Sequence, residues 1–376
     1  MPVGPPPPRL SLTSQYVDFK TGLTVSYVPA TDRTAAYQKF LEIVEPFEQY
    51  FLPGYWNFPE PSAIPEDLLL PFRQFVDKYG LHAVVNQVFE VTGLGAGDFD
   101  TALTLYVLGA FGPPMIRSFI GQGSTFVPAS RRNIDLYKAI EQRLGGDVLY
   151  NSTVTQSLRS PGGHTLWVRD SSRGSCTVVK AKALLLAIEP TRQNMEPFSL
   201  DDTEKSVFDK FDWQVVQAGI VSHPSLPVNF SLVNTPAAAA PANYLELPKP
   251  NCNARFDYMG GNSNNFRVLL VGKEPFTEAD AQRLVSDDFE AMVAAGTLPP
   301  KTPGSGKLKV KAWANHGAMH MHVPAAEIRA GFIQKLYGLQ GYRRTWWTGG
   351  AFSVQFQSIL WEFDDVLLEK MMAAEQ

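Results

Sequence analysis

Cysteine is nearly absent from this sequence: Cys176 and Cys252 are the only two in 376 residues, too few for a disulfide framework and not spaced as metal ligands. A reducing compartment, the cytoplasm, is the expected location. Charge is scarce too. Lys and Arg number 33 against 37 Asp and Glu, a net charge of −4, and charged residues make up only 19%, below the roughly 25% of an ordinary soluble chain. Without a Lys/Arg block there is no electrostatic footprint for nucleic acid or an anionic membrane. No apolar run approaches the ~20 residues that span a bilayer. The start, Met1-Pro-Val-Gly followed by Pro5 to Pro8, lacks the basic and apolar regions of a signal peptide. The expected partner is a small molecule, with no nucleic acid and no membrane. The absence of G-x-S-x-G, H-E-x-x-H and P-loop patterns weakens serine-hydrolase, zinc-protease and NTPase readings.

What is present is apolar and aromatic. Aromatic residues reach 12%, so large cores or a ligand cavity must enclose them, and the length suits roughly two domains or one large interleaved body. Alternation at 16–20 and 23–27 around Thr21-Gly22 predicts a hairpin. From Asp32, as N-cap, Tyr37, Phe40, Leu41 and Val44 recur at helical spacing. Helices are expected at 68–79, closed by Gly80, at 82–89, at 102–108 and at 133–144, the last with Leu136, Tyr137, Ile140 and Leu144 on one face. Strands follow at 148–158, 165–169, 176–179 and 183–188, the last buried on both faces, then at 213–221, 268–271 and 307–315. Thr277 with Asp280 opens a helix to about residue 295. Further helices are expected at 325–339 and 353–371. Such interleaving predicts a mixed α/β (α+β) architecture.

The most specific stretch is Trp347-Thr-Gly-Gly-Ala-Phe-Ser353 with Ser358-Ile-Leu-Trp361. A strand ending at Trp347, a tight glycine turn and a helix opening at Ser353 would present backbone N–H groups and a positive dipole end to a ligand. A strand-to-helix connection whose glycines serve only the turn explains the same pattern. Together with Tyr16-Val-Asp-Phe-Lys-Thr-Gly22, Pro65-Glu-Asp-Leu-Leu-Leu-Pro71, Ala129-Ser-Arg-Arg-Asn-Ile-Asp-Leu-Tyr137, residues 181–190 and residues 331–341, this stretch resembles the flavin-containing amine oxidase superfamily. The likeness is to its fungal, beta-cyclopiazonate dehydrogenase-like members and spans about 16–370.

The resemblance implies a two-part fold: a FAD-binding body, here residues 133–190 and 325–376, and a substrate domain, residues 15–132 and 191–324, after a Pro-rich start at 1–14. It implies an oxidoreductase of secondary metabolism that passes a hydride from a small, largely apolar amine or indole to flavin. Thr348, Gly349, Gly350, Ala351, Phe352 and Ser353 would lie along the flavin, with the helix dipole on its N1/O2 edge. Trp346 and Trp347 would wall the substrate cavity, although alternation on a strand lets only one of them face it. The G-x-G-x-x-G unit that grips the ADP half is missing. The cluster Thr92-Gly93-Leu-Gly95-Ala-Gly97-Asp98, after an expected strand at 88–91, has the wrong spacing and reads as a surface turn. Three readings stay open: an N-terminally truncated version of a longer flavoprotein, a second chain that supplies the missing unit, or a fold that works without flavin as a cofactor-independent isomerase, a cyclase or a non-catalytic binding protein.

His316, His320 and His322 share one parity, which on a straight strand puts them on one face. His316 and His320 would be about 13 Å apart there, too far for one ion, so no metal site is expected. His320 and His322 are the candidate acid/base groups. Arg132, beside Arg131, is a candidate for a ligand's anionic group, or a solvated arginine paired with Asp135 or Glu141.

Overall fold

Seven strands from distant parts of the chain assemble one sheet. They are β1 (Thr13–Asp18), β2 (Leu23–Thr24), β3 (Asp212–Ser222), β4 (Phe230–Asn234), β5 (Cys252–Tyr258), β6 (Phe266–Gly272) and β7 (Lys309–His322). Their order in space is β7-β3-β6-β5-β4-β1-β2. All neighbours are antiparallel except β1, which lies parallel to β4 in register Thr13 to Phe230. The computed structural model describes residues 2–5, 10–31, 33–92, 98–123, 126–160, 162–261 and 263–374. The expected cap Asp32 and the glycines of the 93–97 cluster lie outside the described residues.

Helix Glu278–Ala294 covers one face of the sheet, burying Val285, Phe289 and Met292 against Phe256, Val268 and Leu270. It starts as expected. The Thr277 hydroxyl accepts the Asp280 N–H at 3.1 Å, and the Asp280 carboxylate accepts the Thr277 N–H at 3.1 Å, the reciprocal box that satisfies two of the helix's first N–H groups. A second core gathers the helices Thr34–Val44, Phe72–Tyr79, Val85–Thr92 and Thr104–Ala110 with Leu184, Leu186, Phe208, Trp347 and Phe363. Gly80 closes its helix at φ +61°, a conformation open to glycine at little cost.

Several elements differ from expectation for identifiable reasons. Residues 88–91 belong to helix Val85–Thr92, not a strand, because Val85, Val88 and Phe89 are buried at helical spacing. The helix expected over 68–79 breaks at Leu70-Pro71, since Pro71 disfavours a helical Leu70. The helix expected over 325–339 splits into Ala325–Arg329 and Phe332–Tyr337 at Gly331, whose φ is +78°. The run 183–188 pairs only through Leu184–Leu186, parallel to Thr345–Trp347, and Ile188 is 42% exposed. Its neighbour comes from 160 residues away in sequence, so local pattern could not supply it. Helix Asn133–Leu144 forms, but its apolar side is open: Ile134, Tyr137, Ile140 and Leu144 are exposed and none of its residues is buried.

Three histidines act in one direction on the acid response of this fold, and the buried carboxylates Asp288 and Glu189, whose pKa values burial raises, act in the other. His164 and His223 have pKa values lowered by burial, and His320 is pushed down to about 4 by burial and then by His322. The unfolded chain therefore takes up protons as pH falls below 6.5 while the folded chain does not, so histidine-linked stability is complete above that value and lost progressively towards about 4. Between about pH 7.5 and about pH 5.5 the urea midpoint of the native chain should shift downward relative to that of His320→Gln. The same pH dependence in both proteins would count against a His320 held neutral by the fold.

Candidate functional site

The glycine turn leaves the carboxyl end of a parallel strand pair, the place where open α/β sheets present ligands. Strand Thr345–Trp347 pairs with Leu184–Leu186, and the Thr348 N–H extends the ladder to the Leu186 carbonyl at 2.9 Å. Its other edge is satisfied by one side chain. Gln340 accepts the Trp347 N–H at 2.9 Å and donates to the Trp347 carbonyl at 2.8 Å. The strand is anchored from below by Arg159, whose guanidinium donates to the Thr345 hydroxyl and to both oxygens of Glu204, with both ionic side chains fully buried.

Gly349 turns the chain with φ +113°, and a Cβ there would meet nothing within 4 Å. Its α-carbon thus faces open space in a conformation that only glycine adopts readily. Gly350 has no positive φ, and a Cβ there would overlap the amide end of Gln355. The N–H groups of Phe352 and Ser353 both bond to the Gly349 carbonyl at 3.1 Å, closing a tight turn. The last helix is Gln357–Ala374, so Ser353 does not open it. The dipole end expected at Ser353 lies instead at the start of helix Gln357–Ala374.

The other residues of the motif build the turn through their side chains. The Thr348 hydroxyl donates to Asp364, and the Ser353 hydroxyl donates to the Pro53 carbonyl. Ala351 and Phe352 are buried, and Phe352 stacks on Trp347 with centroids 6.1 Å apart. Trp346 and Trp347 are both in the core, Trp347 edge-on to Phe208 at 4.8 Å, and neither lines the two cavities at this end of the molecule. Arg132 is exposed and pairs with Asp135 at 3.4 Å, away from both cavities.

The smaller cavity joins four of the sequence candidates, His320, His322, Gly350 and Ser353, with Tyr55, Tyr106 and Gln355. Among the described residues that line it there is no carboxylate, ammonium or guanidinium. His316 is elsewhere. Strand β7 shifts register at Asn315/Gly317 and again at Met319/His322, with φ +68° at Gly317 and +56° at His320. These bulges break the parity a straight strand would keep. His316 therefore opens on the larger cleft, and only His320 and His322 reach the glycine turn. The His322 Nδ1 lies 2.8 Å from the His320 carbonyl, and the ring meets Tyr106 edge-on. Among the described residues no cluster of three potential metal-ligating side chains occurs, and no helix is long and apolar enough to cross a membrane.

Sequence reasoning missed Glu189 and Gln355. The Gln355 amide donates to Glu189 Oε1 at 3.0 Å, while Glu189 Oε2 is shielded from solvent with no hydrogen-bond partner among the described residues. Burial raises the Glu189 pKa, partly offset by the Gln355 amide and then by the Ala351 and Gly350 N–H groups. The available signal was position: Glu189 follows the buried strand 184–186, as Thr348 follows its parallel partner.

A mixed substrate-type sheet beside a short parallel pair, with a glycine turn at the carboxyl end of that pair, defines the amine-oxidase type of flavoenzyme fold. Solved structures share it. The chain superposes on a conjugated-linoleic-acid-producing fatty acid isomerase from P. acnes with TM-score 0.72 at 19% identity, covering 96% of this chain and 80% of that one. It superposes on cyclohexylamine oxidase from Brevibacterium oxydans with TM-score 0.54 at 11% identity, covering 97% and 82%. No protein-family model matches the chain. Its sequence is 31% identical over 363 residues to beta-cyclopiazonate dehydrogenase of Aspergillus oryzae, covering 96% of this chain and 75% of that protein. It is 31% identical over 354 residues to an FAD-dependent oxidoreductase of Monascus ruber, covering 94% and 72%. The chain belongs to this family of fungal FAD-dependent oxidoreductases.

Proposed function

We propose that the protein oxidises a small, largely apolar metabolite of amine or indole type by hydride transfer to FAD, in secondary metabolism. The observation that carries this reading is the glycine turn: the Gly349 α-carbon faces open space, and Gly350 and Ser353 line a cavity of aromatic and neutral groups. The chain's residues fit the ring side of a flavin: a backbone surface without side chains at Gly349 and Gly350, shaped by Thr348, Ala351, Phe352 and Ser353, within a body formed by 133–190 and 325–376. When bound, FAD would supply the hydride acceptor.

The rest follows from the chain. Tyr55, Tyr106, Ala110 and Val354 line the cavity with apolar surface and exclude water from the reacting C–H. His320, with its pKa lowered to about 4, stays neutral at physiological pH and can accept a hydrogen bond from an amine N–H. Nothing in the sequence resembles an ADP-holding loop. A second chain that brings one would find an apolar face to dock on in helix Asn133–Leu144.

The purified chain should be yellow, or should become so with added FAD, and the flavin fluorescence should be quenched on binding. A colourless chain that takes up no FAD alone or with a partner, yet isomerises a substrate without changing its oxidation state, would overturn the reading in favour of a cofactor-independent isomerase or cyclase.

A further inference from the structure

Two cavities of unequal size lie on either side of the Glu189–Gln355 pair. The cleft beside residues 188–200 and 315–318 has a volume of about 1590 Å³, whereas the cavity holding His320, His322 and Gly350 has about 40 Å³. A water molecule needs about 10–15 Å³ by this kind of measure, so the smaller space admits a few waters and no metabolite. Ligand pockets usually run to roughly 300–1,000 Å³. A metabolite reaches His320 and His322 through this cavity only if it widens.

Glu189 lines the large cleft and Gln355 lines the small cavity, and their hydrogen bond at 3.0 Å ties one wall to the other. Gln355 lies over the bare α-carbon of Gly350, where any Cβ would overlap it. Gly350 thus accommodates this side chain in the closed state. Glu189 Oε2 is shielded from solvent, and the Ala351 and Gly350 N–H groups beside the carboxylate help to hold its charge.

The geometry points to a gate: the Glu189–Gln355 pair closes the passage between the cleft and the histidine cavity, and opens for a ligand carrying a secondary amide or lactam edge. An N–H on that edge donates to the Glu189 carboxylate, and the adjoining C=O accepts from the Gln355 amide that the carboxylate releases. Swinging Gln355 away joins the two spaces into one site running from the cleft to His320. Glu189 and Gln355 act as specificity-determining groups, and the proposal does not depend on flavin.

The test uses diethyl pyrocarbonate, which acylates neutral imidazole, on the full chain without FAD, with modification of each histidine read by peptide mass spectrometry. His316, exposed on the cleft side, serves as internal control. Gln355→Ala and Glu189→Ala should each raise the His320 rate severalfold and leave His316 unchanged. Gln355→Met, which keeps the volume and loses the hydrogen bond, should do the same; circular dichroism confirms that each variant is folded. Unchanged His320 rates in the folded variants would overturn the gate. In the native chain 2-pyrrolidinone should change the rate of His320 acylation and its N-methyl analogue, which has no N–H to donate, should not, and Glu189→Ala should abolish the difference. Equal behaviour of the two probes in the native chain would overturn the amide-edge assignment. FAD uptake is measured separately, so loss of the flavin reading and loss of the gate are distinguishable.

Discussion

Replacing Glu204 by glutamine should destabilise the protein by about 3–5 kcal/mol, because it leaves a buried guanidinium without its counter-charge. Both side chains of the Arg159–Glu204 pair are fully buried. Arg159 donates to Glu204 at 2.5 and 3.1 Å, to the Thr345 hydroxyl at 2.9 and 3.1 Å and to the Phe198 carbonyl at 3.2 Å. Glu204 also accepts the Asp201 N–H at 3.0 Å and the Arg343 guanidinium at 3.1 Å. The carboxylate thus binds three elements at once: the start of helix Asp202–Phe208, strand Ser152–Ser160 and the 3₁₀ segment that precedes Thr345. Glutamine keeps the shape and one acceptor but loses the charge. The double variant Arg159→Met/Glu204→Leu removes both ions and should recover much of the loss, since paired ions contribute little net stability once their desolvation is counted. Urea unfolding followed by circular dichroism measures both variants. Equal losses in the single and double variants would show that packing, and not the uncompensated charge, dominates.

Gly349→Val should remove ligand binding at the turn, by more than tenfold in Kd, or at least about 1.4 kcal/mol. It should also destabilise the fold by about 1–3 kcal/mol, the usual strain of a branched residue held at positive φ. The two effects have different origins. The strain comes from φ +113°; the loss of binding comes from filling the open space against the α-carbon, where a Cβ meets no protein atom. Gly350→Val is the informative contrast. Its Cβ meets only the flexible end of Gln355, so it should displace that side chain and perturb stability less. FAD titration by fluorescence quenching and thermal melts, run on both variants, check this order. Normal binding per folded molecule in Gly349→Val would remove the turn from the site.

The features legible in the sequence are those written in neighbouring residues. The capping box at Thr277 and Asp280, the helix over 133–144, the alternation of the strands after residue 150 and the strand-to-turn passage at Trp347-Thr-Gly-Gly all rest on contacts within one or two turns of chain. Periodicity and capping chemistry report such contacts directly. The motif order along 16–370 was also enough to indicate the family. Both glycines fit a tight turn, and only the exit direction of the chain places the positive φ at Gly349.

Other features depended on residues far apart in sequence. Strand 184–186 finds its partner at 345–347, Arg159 finds Glu204 and Thr345, and Glu189 finds Gln355; none of these pairings leaves a mark in a local window. The bulges of β7 separate His316 from His320 and His322 because β3, far earlier in the chain, sets the register against which β7 must bend. Composition, hydrophobic period and the glycine motif thus determined the fold class and pointed to the turn. The cavity at that turn, the histidines that reach it and the carboxylate–amide pair across it were decided by tertiary packing, since cavities and buried hydrogen bonds are properties of elements brought together and not of any one element.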